Sequence, residues 1–153
     1  MSKPFHKLGF PEYEFRFRKN ENKISIFDEI RKKWIICTPE EWVRQNLIKF
    51  LIKEYNYPTT LIAVEKGLKL AGRDYRFDVL VYSRDYKPSV IIECKAPEVP
   101  LSQSVFDQIW NYNYEIGAPY FLVTNGLGFI MGKVTKDNGI EYLDKPAYYD
   151  ELL

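Results

Sequence analysis

Apolar and polar residues alternate along the chain with two periods, and the change of period marks its elements. From Tyr13 to Arg18 aromatic and charged residues take turns, and from Lys23 to Phe27 they do so again after the turn-like run Lys19 to Asn22. The pattern predicts a β-hairpin, with a further short strand over residues 34–37. Thr38-Pro39-Glu40-Glu41 has the make-up of a helix start: a threonine N-cap, proline at the first helical position, and Glu41 where a capping box wants an acid. The helix is predicted to reach about Glu54. Val43, Leu47, Phe50 and Leu51 form its buried face, and Glu41, Gln45, Ile48 and Ile52 form an adjacent stripe whose polar end can look into a cleft.

Period two returns after Tyr57-Pro58. Residues 61–64 read as a strand that Glu65-Lys66-Gly67 continues or ends, and residues 73–97 read as two strands joined by a polar turn over Ser83 to Pro88. Pro97 and Pro100 end the sheet. A second helix is predicted over residues 102–116, with Val105, Ile109, Tyr112 and Ile116 facing inward and Gly117 as its stop. Tyr120 to Thr124 is then a central strand, parallel to its neighbour because a helix connects them. Asn125-Gly126 predicts a two-residue hairpin turn leading to Phe129, Ile130 and Met131. The tail from Lys145 packs either on the body or on a second subunit.

Within this pattern residues 73–97 stand out, because Asp78, Glu93 and Lys95 sit where core residues are expected. Residues two apart in a strand share a face, so Glu93 and Lys95 are neighbours while Cys94 faces away, and a hairpin lets Asp78 reach the same side. Two carboxylates beside an ammonium have the chemistry of a divalent cation site next to a water-activating lysine. Cys94 reads as a small core residue rather than a nucleophile, since no histidine partner is evident.

Composition narrows the classes. One domain of 153 residues can bury a sizeable core, and a net charge of +1 gives no overall pull toward nucleic acid. Phosphate binding would have to come from local patches such as Arg16, Arg18, Lys19, Lys23, Arg31, Lys32 and Lys33, for which a plain solvated face is an equal reading. Two cysteines without a CxxC and a single histidine exclude a disulfide scaffold or a Cys/His zinc site and make a cytoplasmic compartment the expectation. There is no signal-like stretch and no apolar run of about 18 residues, so a membrane partner is not expected.

The order helix, three strands carrying Asp and Glu-x-Lys, helix, strand resembles the PD-(D/E)XK nuclease superfamily, and more closely the N-terminal nuclease domain of type I restriction enzyme R subunits. The likeness runs from TPEEWVRQ at 38–45 through RFDVLVY, VIIECKAP and FDQIWNYN to VTNGL. It implies a restriction-endonuclease-like α/β fold: a mixed central sheet flanked by helices with an N-terminal β-hairpin. Residues 1–37 would be the hairpin extension, 38–135 the nuclease core and 136–153 a tail. Asp78, Glu93 and Lys95 match the signature, with Phe-Asp in place of Pro-Asp, and Gln108 and Tyr112 match a QxxxY element. The resemblance implies Mg²⁺, or Mn²⁺ in its place, on Asp78, Glu93 and the Cys94 carbonyl. Lys95 would position water, Gln108 would orient the nucleophile or Lys95, and Tyr112 would touch the nucleic-acid backbone. Arg44 and Gln45 are candidate backbone contacts, Arg44 being as readily a surface residue, and Glu41 is a capping acid before it is a metal ligand.

The expected activity is metal-dependent cleavage of DNA, in restriction or repair, with RNA not separated from DNA by anything in the sequence. No GxxxxGK followed by Ser or Thr occurs, so action alone, as a homodimer, or with separate motor or specificity proteins is expected. The alternatives are a non-catalytic nucleic-acid-binding or assembly module that keeps the fold, and a small α/β protein whose charged strand ends are structural.

Overall fold

The aromatic alternation near the N-terminus folds as three antiparallel strands, β1 (Phe17–Asn20), β2 (Lys23–Asp28) and β3 (Lys33–Ile36). Phe17, Ile26 and Ile35 lie side by side in the ladder. Phe17 and Ile26 pack with Phe5, Phe15, Cys37 and Trp42 in an aromatic layer under this sheet. The computed structural model describes residues 5–152, leaving aside the side chains of residues 70, 112, 114 and 115.

Helix α1 spans Pro39–Tyr55 and starts as its sequence dictates: Thr38 Oγ accepts from the Glu41 N–H at 3.1 Å. It ends at Asn56, which takes the left-handed conformation (φ 62°). Val43, Leu47 and Leu51 are buried, and Phe50 is half-buried against Phe10.

The main sheet has six strands in chain order: β4 (Ile62–Leu70), β5 (Arg73–Tyr82), β6 (Pro88–Cys94), β7 (Tyr120–Thr124), β8 (Phe129–Val134) and β9 (Ile140–Leu143). Every pairing is antiparallel except β6 with β7, which are parallel and connected through helix α2 (Gln103–Ile116). Val79, Val81, Val90, Ile92 and Leu122 pack with α1, while Phe121 and Val123 pack with Phe106 and Ile109 of α2. The two helices therefore cover opposite faces of one sheet, which buries alternate residues of β5, β6 and β7 on both sides. This is the mixed α/β architecture that the pattern predicts.

Four details differ from expectation. The ribbon β4–β5 is longer than its apolar run, continuing to a tight turn at Ala71-Gly72 (φ 50° and 77°), so Asp78 sits in mid-strand. Thr124 pairs with Phe129, so β7 and β8 are joined by four residues, not two. The Asn125 carboxamide oxygen accepts from the N–H groups of Leu127 and Gly128, replacing a two-residue turn by a side-chain-built one. In α2 Val105, Ile109 and Ile116 pack inward as predicted, but among the described residues Phe106 and Asn113 are buried as well, and Gln108 is exposed. The Tyr112 side chain lies outside the described residues. Finally, β9 extends the sheet beyond residue 135, and the tail packs on the body: Tyr149 Oη donates to the Tyr82 carbonyl and Tyr57 Oη to that of Ala147, each at 2.9 Å. No helix among the described residues is long and apolar enough to cross a membrane.

Candidate active site

Asp78 occupies the point where β5 parts from β6 and misses one ladder position to β4. The ladder to β6 ends at Val79 opposite Ile92, and the ladder to β4 skips the position between Val64–Val79 and Lys66–Phe77, where Glu65 faces Asp78. Glu65 takes a left-handed conformation there (φ 52°), a strained choice for a residue with a Cβ. In place of a ladder bond, Asp78 Oδ2 accepts from the Cys94 N–H at 2.8 Å. The sheet is splayed at this end, and β6 delivers Glu93 and then Lys95 to the same place. The Lys95 N–H donates to the Thr124 carbonyl at 2.8 Å, carrying the β6–β7 pairing one residue further.

The Glu93 carboxyl is hydrogen-bonded to Asp78. Burial, the charge of Asp78 and that hydrogen bond, in this order, push its pKa from about 4.5 up to about 8, against the opposing effect of Lys95. Glu93 therefore holds its proton more tightly than an ordinary glutamate. Glu40, in the first turn of α1, belongs to the same field: burial and Asp78 raise its pKa, while Lys95 and Arg44 oppose the rise. The sequence reading passed over Glu40 in favour of Glu41. The signal was available in the helical period, since Glu40 lies one turn before Arg44 on the face that meets Asp78.

Glu41 itself neither completes a capping box nor reaches the cluster. Its carboxylate accepts from Arg44 through both Nε (3.0 Å) and Nη2, from Arg31 Nη2 (3.0 Å) and from Gln45 Nε2 (3.0 Å). Asp28, also buried, accepts from the N–H groups of Ile30 and Arg31, from the Arg31 guanidinium and from Gln45. Glu65 closes the network with Arg44 at 3.4 Å, Arg31 at 3.5 Å and Arg76 at 2.9 Å. Burial alone would raise these three carboxyl groups, yet their arginine partners hold each below its ordinary value. Arg44 and Gln45 are therefore inside the molecule, 6% and 5% exposed, with their donors turned to Glu41, Asp28, Glu65 and Asp78. The structure does not bring them to the surface as backbone contacts. Arg44 Nη1 approaches Asp78 Oδ1 to 3.8 Å, which links the network to the cluster.

A divalent cation fits the donor set. The neighbouring carboxyl groups of Asp78 and Glu93 offer the hard oxygen ligands that Mg²⁺ prefers. Among the described residues no three His, Cys, Asp or Glu side chains converge closely enough to make a complete ligand set. Asp78 and Glu93 would therefore need water and main-chain carbonyl to complete it, in keeping with the reluctance of Mg²⁺ to dehydrate. A cavity of about 670 Å³ lies at the far end of β5 and β6, between Ser83, Ser89, Gly117 and Tyr149, and contains none of these residues.

Residues 39–145, more than two thirds of the chain, match the family described as Type I restriction enzyme R protein N terminus. The fold is similar to a fragment structure described as an HsdR subunit of a type I restriction enzyme from Vibrio vulnificus YJ016, with a TM-score of 0.56 and 20% sequence identity. That likeness covers 76% of this chain and 24% of the Vibrio chain, so the protein spans about a quarter of its relative. No curated protein matches the chain.

Proposed function

Because the chain belongs to the family of type I restriction enzyme R protein N-terminal domains, we propose that it is a Mg²⁺-dependent deoxyribonuclease of PD-(D/E)XK type centred on Asp78, Glu93 and Lys95. The observation that carries this reading is Asp78, held by the Cys94 N–H at 2.8 Å where the β5–β6 ladder ends, with Glu93 and Lys95 on either side of Cys94 and the Glu93 pKa raised by burial and by Asp78. A structural ion pair would not leave a buried carboxyl short of positive charge. A bound cation would polarise a phosphodiester and lower the pKa of an attacking water.

The chain's own residues do the rest. The Cys94 N–H fixes the Asp78 carboxylate, Lys95 supplies positive charge to a developing phosphorane, and Arg44, anchored by Glu41, fixes the side of Asp78 turned toward α1. Glu40 is a third carboxylate available to the cation or its waters. Gln108, exposed on α2, and Tyr112, one turn later, are assigned to orienting the nucleophile and to the nucleic-acid backbone. DNA and the other subunits of a restriction system are the partners this reading requires. Incubation with Mg²⁺ or Mn²⁺ and linear, supercoiled, single-stranded and branched DNA, with RNA alongside, tests it. Cleavage should appear only with metal and vanish in Asp78→Ala; metal-independent cleavage, or none on any substrate, refutes it.

One contact favours the second reading, a non-catalytic assembly module: the Arg44 guanidinium 3.8 Å from Asp78 gives that carboxylate a resident cation. Calorimetric titration with Mn²⁺ separates the two, since a module so neutralised takes up no metal.

A further inference from the structure

The three-stranded sheet has an outer face that the site does not use. The ladder places Arg18 beside Ser25 and Ser25 beside Ile36, with Phe27 beside Trp34, while the Phe27 N–H bonds to the Arg16 carbonyl. Since Phe17 and Ile26 point to the core, these neighbours point away from it. The Arg16 guanidinium lies over the Phe27 ring at 4.4 Å and 5.5 Å from the Trp34 ring, and Arg18 lies over Trp34 at 4.7 Å. Both arginines are exposed, Phe27 and Trp34 are half-exposed, and Ile36 is 52% exposed. Asn20 and Lys23 complete the outward set of the paired strands; the acids at its margins are Glu14, Glu21 and Glu29, the last engaged by Lys49 at 3.7 Å. In a chain of net charge +1 this is a local concentration of cationic and aromatic planes.

We propose that this face binds a single strand of nucleic acid. A duplex hides its base faces and offers only phosphates; a single strand offers both, and the surface has a complement for each. Guanidinium groups held over aromatic rings present planes for bases to stack on and N–H donors for phosphates, and Ile36 adds apolar area. Charge complementarity selects the occupant, because an acidic protein surface would use the cations and leave the planes idle. Strand β2 ties the face to the site: Phe27 points outward while its neighbour Asp28 is bonded to Arg31, which pairs with Glu41. The proposal stands on its own residues and extends the hydrolase reading without requiring it.

The test is fluorescence anisotropy in chelator with a labelled oligothymidine of about 20 nucleotides, the matching oligouridine and a duplex of equal length. Both single strands should bind more tightly than the duplex. The double variant Arg16→Lys/Arg18→Lys keeps the charge and loses the planes, and Ile36→Glu places a carboxylate on the face at an exposed position. Each should weaken single-strand binding about tenfold. Absence of single-strand binding, equal binding of duplex, or wild-type affinity in either variant overturns the proposal. Cleavage is measured separately with Mn²⁺. A protein that binds strands without cutting refutes the hydrolase alone, and one that cuts while both variants bind as wild type refutes this surface alone.

Discussion

Arg44 stands between two groups of carboxylates that the fold treats in opposite ways. On one side Asp28, Glu41 and Glu65 are met by Arg31, Arg44, Arg76 and Gln45, and all three acids are held below their ordinary pKa in spite of burial. On the other side Glu40, Asp78 and Glu93 share Lys95 and a long contact to Arg44, and Glu40 and Glu93 are raised. Desolvation acts on both groups, most on Asp28 and Glu41, which are nevertheless lowered; the supply of donors therefore distinguishes them. The saturated network joins β2, α1 and β4 and is structural. The undersupplied cluster leaves Glu40 and Glu93 raised, the imbalance on which the proposed cation site rests.

The largest effect expected from this contrast is catalytic. Lys95→Ala should lower metal-dependent cleavage by about 10²- to 10⁴-fold, while the thermal midpoint stays close to that of the wild type. A Lys95→Ala protein that cuts plasmid as fast as wild type would remove Lys95 from the chemistry. The mirror experiment on the saturated side is Glu41→Gln. It strips the carboxylate from buried Arg44 and half-buried Arg31 and should cost about 3 kcal/mol of stability in urea titration. An unchanged unfolding midpoint would show that the network does not hold the fold.

The pH dependence separates the groups by sign. Glu93 has a folded pKa of about 8 against an ordinary value near 4.5, so the folded state binds its proton more tightly and Glu93 contributes stability that is fully present below pH 4.5 and lost as pH rises through 8. Asp28 and Glu41, depressed in the folded state, contribute stability that is present above their ordinary values and lost as pH falls below about 4. In chelator, melting temperature should therefore fall between pH 5 and about 8.5, and Glu93→Gln should flatten that fall while leaving the acid limb in place. Divalent cation should also counter it, by replacing the proton on Glu93. If Glu93→Gln keeps the alkaline slope, the carboxyl pair is not its source.

The legibility of these groups in the sequence differed for a physical reason. Asp78, Glu93 and Lys95 were readable because each breaks an otherwise apolar strand, and the strands and both helices followed from period and caps. The arginine network was not. Its members come from a strand end, a turn, α1, β4 and β5; the helical period points Gln45 toward a cleft, but nothing local turns Arg44 inward rather than to solvent, and only the packing of the small sheet against α1 decides it. Glu40 was missed for the converse reason, because two adjacent acids in a first turn look equivalent until the helix is docked. On α2 the period points Val105, Ile109 and Ile116 inward, where they pack, but it does not tell that Phe106 and Asn113 are buried beside them, since that depends on how the helix docks on β7.

The smallest effect expected tests where the saturated side ends. Glu65 is 40% exposed and contacts three arginines, one of which, Arg76, is 72% exposed. Solvent screens such pairs, so Glu65→Gln should cost less than about 1 kcal/mol, well below Glu41→Gln. The left-handed backbone at this position adds a separate lever: Glu65→Gly loses the same pairings but removes the Cβ that makes φ 52° unfavourable, and should be no less stable than Glu65→Gln. Paired urea titrations of the two variants check the order. A Glu65→Gln cost equal to that of Glu41→Gln would extend the structural network to the edge of the ribbon and leave Arg44 less free to serve Asp78.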